Sequence, residues 1–269
     1  MRNPVPDDPI AARERDFTVL TCHFGDPAWV RHSLAMLDRF SDGRVREVVV
    51  VDQDRAASKG LDGLPRVRQV IQFPVDEDQV AILGHDHPAS LNRALGTIEI
   101  RTSHVIVLDS DCFPIDASWL DRLEDVTLAG DPAKWGLTHP CIMVFPAQVA
   151  AEIDFAEGLR EVGIDTGRLI GLQLARRGYQ VAMSRPEGAF RGKRGTLYLD
   201  RTVYHHGSSS FLSSSDPRLR SSVDAVSERV YRSAVMAGAY QLSLSNRFRL
   251  FTHRLRCRAQ ALLRRPVRS

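Results

Sequence analysis

Short apolar runs alternate along this chain with stretches whose apolar positions recur every three or four residues. Phe17-Thr-Val-Leu-Thr-Cys22 predicts a first strand, and residues 27–40, with Trp29, Leu34 and Leu37 on one face, predict a helix. Residues 45–51 predict a second strand, whose continuous valines imply burial on both faces as in a parallel sheet, and which ends in Asp52-Gln-Asp54. Residues 66–73 predict a third strand, 89–99 a helix, and 105–108 a strand that stops at Asp109-Ser-Asp111. Such a βαβ series predicts an α/β fold, a mostly parallel sheet flanked by helices, with chemistry at the carboxyl ends of its strands.

Beyond this the pattern is less regular. Residues 135–145 predict a strand carrying His139, and 165–177 a helix through Leu169, Leu172 and Leu174. Residues 178–182 return as a strand, and a short strand at 202–204 meets His205-His206-Gly207-Ser-Ser-Ser210. Helical periodicity then covers 221–240. No linker separates independent domains, so residues 15–215 are expected to form one body, with a nucleotide-binding half at 15–115 and a second half at 116–215. Residues 216–269 form a helical, arginine-rich extension.

Composition narrows the classes. A chain of 269 residues with 43% hydrophobic content can bury one substantial core. Residues 1–16 lack an apolar segment and no later run is long enough to span a bilayer, which predicts a cytoplasmic protein. Cys22, Cys112, Cys141 and Cys257 stand far apart without metal-ligand spacing, so reduced thiols and no structural disulfide are expected. The net charge of +3 conceals an asymmetry: from Ser245 onward there are eight arginines and no acid, leaving the body mildly acidic. The body has no basic patch interleaved with aromatics, which argues against nucleic acid as a partner. In the tail, Phe248, Phe251, Leu255, Leu262 and Leu263 recur at near-helical spacing between arginines. A helix there would either lie on an anionic membrane, making the protein peripheral to the inner face, or pack on the body or a second subunit, and the sequence leaves both open.

The sharpest chemical signal is Val105-Ile-Val-Leu-Asp-Ser-Asp-Cys-Phe-Pro114. At period two Asp109 and Asp111 leave the backbone on the same side, so both reach one cation. Two hard oxygen ligands, with positions left for water and substrate oxygens, suit Mg²⁺ or Mn²⁺ carried on a diphosphate. His85-Asp-His87 lacks further ligands at useful spacing, lies near Gly and Pro, and reads as a turn.

The order of these segments, with Ser90-Leu-Asn-Arg-Ala-Leu-Gly96 ahead of Leu108-Asp-Ser-Asp-Cys-Phe-Pro114, resembles family 2 glycosyltransferases of the GT-A fold over about residues 15–210. The resemblance implies an inverting, metal-dependent transfer of a sugar from a nucleotide-diphosphate sugar to the hydroxyl of a saccharide, lipid-linked or small-molecule acceptor. It points to Thr21 and His23 near the donor, to Asp52 with Asp54 as a second choice for the ribose, and to Asn92 and Ser110 as further donor contacts. The family's arginine position on the helix is occupied by Leu91. Of the family's acids before Arg-x-x-Gly-Tyr only Asp165 remains, which makes it the expected general base, alongside a helix-capping role. Tyr204-His-His-Gly resembles the segment whose histidine completes the metal site with Asp109 and Asp111, with His205 favoured and His206 the alternative. A histidine ligand tilts the choice toward Mn²⁺ over Mg²⁺. Two other readings share the sheet and acids. A sugar-phosphate nucleotidyltransferase calls for a Gly-rich basic loop after the first strand, where this chain has Thr21-Cys-His-Phe-Gly-Asp-Pro27. A noncatalytic nucleotide-sugar-binding protein would bind donor without turnover.

Overall fold

A computed structural model describes residues 15–54, 61, 63–73, 86–132, 138–157, 167, 169–189, 195–207, 225–241 and 243–263. Among these, strands β1 (Phe17–His23), β2 (Val45–Asp52), β3 (Val67–Gln72) and β4 (His104–Leu108) lie parallel in the order β3-β2-β1-β4. The sheet continues through β7 (Thr138–Pro146), β6 (Thr127–Pro132) and β8 (Ala182–Ser184). β7 runs antiparallel to both its neighbours, and β8 is parallel to β6. A mixed, mostly parallel α/β sheet flanked by helices results.

Both faces of the central strands are covered, as the valine runs require. Phe17, Val19, Val48, Val50, Ile106 and Leu108 feed one apolar cluster, while Leu20, Val49, Val51, Val105 and Val107 feed the other. The first is closed by helix α1 (Pro27–Phe40), which starts where the Asp26 carboxylate accepts from the Ala28 N–H at 2.9 Å and Pro27 supplies a preset φ. Its Val30, Leu34 and Leu37 are buried, and its Ser33 hydroxyl donates to the Cys112 carbonyl at 2.8 Å, tying the helix to the chain just past the Asp109–Asp111 turn. The second cluster is covered by α2 (Asp86–Thr97) through Leu91, Ala94 and Leu95, and by α3 (Ile170–Arg176) through Ile170 and Leu174.

Several elements differ from expectation. β5 (Cys112–Pro114) has no periodicity of its own and forms because it pairs with β11 (Val203–His205) in a second sheet, ordered β5-β11-β10-β9, with β10 at Thr196–Tyr198 and β9 at Gly188–Ala189. Of the helix expected over 165–177, the described residues form one at Ile170–Arg176, while Gly167 has φ +71° and lies against Met143 of β7. The strand expected at 178–182 starts only at Ala182. Gly178 at φ +89° ends α3, with the Tyr179 N–H returning to the Leu174 carbonyl at 3.1 Å, a C-terminal cap that consumes those residues. Trp135 and His85 lie outside the described residues.

At the C-terminus α4 (Ala225–Met236) packs Val235 against Trp29, Phe113 and Tyr204. It is followed by α5 (Leu244–Leu263), on which Leu244, Phe248, Phe251 and Leu255 are 82%, 67%, 58% and 49% exposed. No described helix is long and apolar enough to cross a membrane. Cys22, Cys112 and Cys141 are buried free thiols.

Candidate metal centre and flanking pocket

The chain reverses sharply after β4. The Asp109 N–H donates to the Cys141 carbonyl of β7 at 3.0 Å and the Cys112 N–H to the Asp109 carbonyl at 2.9 Å, so Asp109 and Asp111 stand at a tight corner between the two sheets. The second sheet then brings in the histidine. β11 pairs antiparallel with β5, His205 opposite Cys112, and the His206 N–H donates to the Asp111 carbonyl at 3.0 Å. His205 Nε2 consequently lies 3.4 Å from Asp109 Oδ2 and 3.4 Å from Asp111 Oδ1. The three ligand atoms are within 4.8 Å of one another. For bonds of about 2.0–2.2 Å around one ion, tetrahedral geometry puts neighbouring ligand atoms about 3.3–3.6 Å apart, so these residues fit a shared cation. Asp111 is buried and Asp109 half-buried, which opens the cluster on the Asp109 side. Ser110 is half-buried between them.

Burial works against a charged His205, but the negative charge of Cys141 and Asp111 and the hydrogen bonds to Asp109 and Asp111 outweigh it and raise its pKa well above the usual imidazole value. Burial likewise pushes the Cys141 thiol up, while the Cys112 hydrogen bond and the His205 charge bring it down to about 7. Cys112 beside it is raised, first by burial. These buried thiols beneath the Asp109, Asp111 and His205 cluster were not singled out from the sequence, because only the pairing of β5, β7 and β11 gathers them.

His206 belongs to a different environment. Its Nδ1 is 2.9 Å from the Tyr204 hydroxyl and its Nε2 2.5 Å from Glu228 Oε1 on α4, and its ring lies on Trp29 with centroids 4.2 Å apart. Burial raises the Tyr204 pKa, so the phenol keeps its proton beside Nδ1, while Nε2 faces the Glu228 carboxylate. Both ring nitrogens are thus engaged away from the acids, and of the two histidines His205 is the one in the cluster. Gly195 supports this: its N–H donates to the His206 carbonyl at 3.2 Å, and a Cβ there would stand 2.4 Å from the Tyr204 hydroxyl.

A second group gathers at the neighbouring strand ends. His23 and Asp52 are in register across β1 and β2, and His23 Nε2 is 3.3 Å from Asp54 Oδ2. Asp54 accepts from the Gly25 N–H at 3.0 and 3.1 Å, and Asp52 accepts from Gln72 Nε2 at 3.1 Å and from the Asp54 N–H at 3.3 Å. Thr21 and His23 are 3% and 1% exposed, and neither the Thr21 hydroxyl nor either His23 ring nitrogen makes a hydrogen bond.

Asn92 does not join either group. Its amide donates to Asp154 Oδ1 at 2.7 Å and accepts from the Phe155 N–H at 2.9 Å, while Gln173 of α3 donates to the Asp154 carbonyl at 2.6 Å. Asn92 therefore ties α2 to the loop before α3, the competing use of an asparagine that sequence spacing does not reveal. Arg93 lies over the Phe73 ring at 4.9 Å. Asp165 lies outside the described residues.

No family model and no curated protein matches the chain in sequence. Among solved structures it is similar to 4-diphosphocytidyl-2C-methyl-D-erythritol synthase from Anaerococcus prevotii, at 9% identity and TM-score 0.43, over 64% of this chain and 89% of that one. It is also similar to an active-site mutant of LgtC, at 13% identity and TM-score 0.40, over 62% of this chain and 72% of that one.

Proposed function

We propose that the protein is a metal-dependent, inverting glycosyltransferase of the GT-A kind that uses a nucleotide-diphosphate sugar. The observation that carries this is the Asp109, Asp111 and His205 cluster, an oxygen-rich, one-sided ligand set at the carboxyl edge of a mostly parallel sheet. Asp109, Asp111 and His205 would hold Mn²⁺ or Mg²⁺, which when bound supplies positive charge to the leaving diphosphate. Ser110, in the same turn, faces the donor. Thr21, His23, Asp52 and Asp54 receive the nucleoside end, where a carboxylate suits ribose hydroxyls because it accepts two hydrogen bonds. Asp165 takes the proton from the acceptor hydroxyl, whose oxygen bonds to the anomeric carbon as the bond to the diphosphate breaks. This single displacement inverts the anomeric configuration.

The exposed apolar stripe of α5 lies on a helix that also carries the exposed Arg247, Arg249 and Arg256, so the same reading places the acceptor near an anionic membrane surface. The test is a screen of UDP-, GDP- and dTDP-sugars for hydrolysis that requires Mn²⁺ or Mg²⁺. Turnover of one of them is expected; binding without any turnover identifies a noncatalytic nucleotide-sugar protein instead. With an acceptor in hand, Asp165→Asn should keep donor affinity and lose transfer by about 10²–10⁴-fold, and unchanged transfer would remove Asp165 from the base role.

A further inference from the structure

We infer that His23, Asp52 and Asp54 form a second divalent-cation site, distinct from the Asp109, Asp111 and His205 cluster and suited to a borderline ion such as Zn²⁺. Their ligand atoms lie within 4.8 Å of one another. The 3.3 Å from His23 Nε2 to Asp54 Oδ2 matches the edge of a tetrahedron whose bonds are about 2.0–2.2 Å.

The imidazole supplies an independent observation. His23 is 1% exposed and its ring faces the two acids, yet neither ring nitrogen hydrogen-bonds to a protein group. A buried polar atom left in this way costs free energy that a bound cation would recover, and Nε2 stands 3.3 Å from Asp54 Oδ2 where an ion could be shared between them. The acids are held as ligands usually are. The Gly25 N–H fixes the Asp54 carboxylate, Gln72 fixes Asp52, and His23 and Asp52 sit on strands locked in parallel register. One nitrogen and two carboxylate oxygens form a mixed set, softer than the all-oxygen shell of Mg²⁺ or Ca²⁺, with a fourth position left for water or a ligand hydroxyl. With the ion in place a ribose hydroxyl would meet its open position instead of the bare carboxylates, and the site stands whether or not the donor is a sugar nucleotide.

Full-length protein, stripped with chelator and dialysed against Zn²⁺ alone, provides the test by metal analysis per chain. In the double variant Asp109→Asn/Asp111→Asn, which disables the first cluster, one ion per chain is expected to remain, and adding His23→Gln should remove it. Asp54→Asn, which keeps the acceptor for Gly25, should weaken the remaining ion at least tenfold without lowering the melting temperature of the metal-free protein. That keeps the test decisive if His23→Gln folds poorly. A double variant that holds no ion, or an ion that survives both the His23 and the Asp54 substitutions, overturns the site. Because no nucleotide is present, failure of the glycosyl-transfer reading would leave the result unaffected.

Discussion

At the ends of β1 and β2, His23 meets Asp52 because their strands are neighbours in register; at the end of β4, His205 meets Asp109 and Asp111 because a hairpin far along the chain folds back onto β5. The first arrangement is as rigid as the sheet core that carries it. The second depends on a small sheet, whose last strand is in turn fixed by His206, Tyr204 and Glu228 of α4. The two histidine–carboxylate groups should therefore respond differently to damage: one resists distant mutation, and the other is coupled to the C-terminal helix.

The largest expected effect separates chemistry from fold. Asp111→Asn keeps shape but removes a charged ligand. Since even groups behind the ligands of a metal cost 10–100-fold, metal-dependent turnover should fall by more than about 100-fold with little change in melting temperature. Unaltered turnover would remove Asp111 from the metal. Next comes the coupling through α4. Glu228→Ala leaves the buried His206 Nε2 without its partner and should cost about 3–5 kcal/mol in urea unfolding, as broken buried pairs do. Glu228→Gln, whose amide still meets Nε2, should recover part of it. A loss below about 1 kcal/mol, the range of exposed pairs, would show that β11 holds itself in place.

Asn92→Ala sharpens the contrast from the other side of the sheet. Losing its bonds to Asp154 and Phe155 should cost about 1–3 kcal/mol of stability while leaving donor affinity as it was. Weaker donor binding in isothermal titration would support the donor contact expected of Asn92. The smallest effect belongs to α5. Each arginine near an anionic leaflet contributes about 1 kcal/mol, so intact protein should sediment with anionic liposomes at low salt, less so at high salt, and a truncation after Ser245 should not. Equal partitioning would rule out the helix as a membrane contact.

What the sequence disclosed follows the same divide. Val48 to Val51 and the run ending at Leu108 encode buried parallel strands in their own composition, so β1 to β4, α1, and the acids at the strand ends were legible. Cys112-Phe-Pro114 carries no strand signal, because three residues become a strand only when β11 arrives, and the same pairing is what gathers Cys141 and His205. The choice between His205 and His206, and the engagement of Asn92 by Asp154, lie in contacts across long sequence separations that periodicity does not record.

The turn between β10 and β11 gives that hairpin a parity. Leu199, Asp200 and Arg201 have φ of +54°, +54° and +64°, three successive left-handed residues without a glycine, held by the Thr202 hydroxyl donating to the Leu199 carbonyl at 2.5 Å. Such residues each cost about 1–2 kcal/mol, so the pairing they enforce must return more than that. Side chains alternate along a strand, and the turn's residue count decides whether an odd or an even position of β11 faces the acids. Deleting one residue within 199–202 would bring His206 into the place of His205 beside Asp109 and Asp111, whereas inserting one would bring Tyr204 there and move His205 into the place of His206 beside Trp29 and Glu228. Two adjacent, chemically identical side chains thus hold opposite duties only because a loop counts correctly.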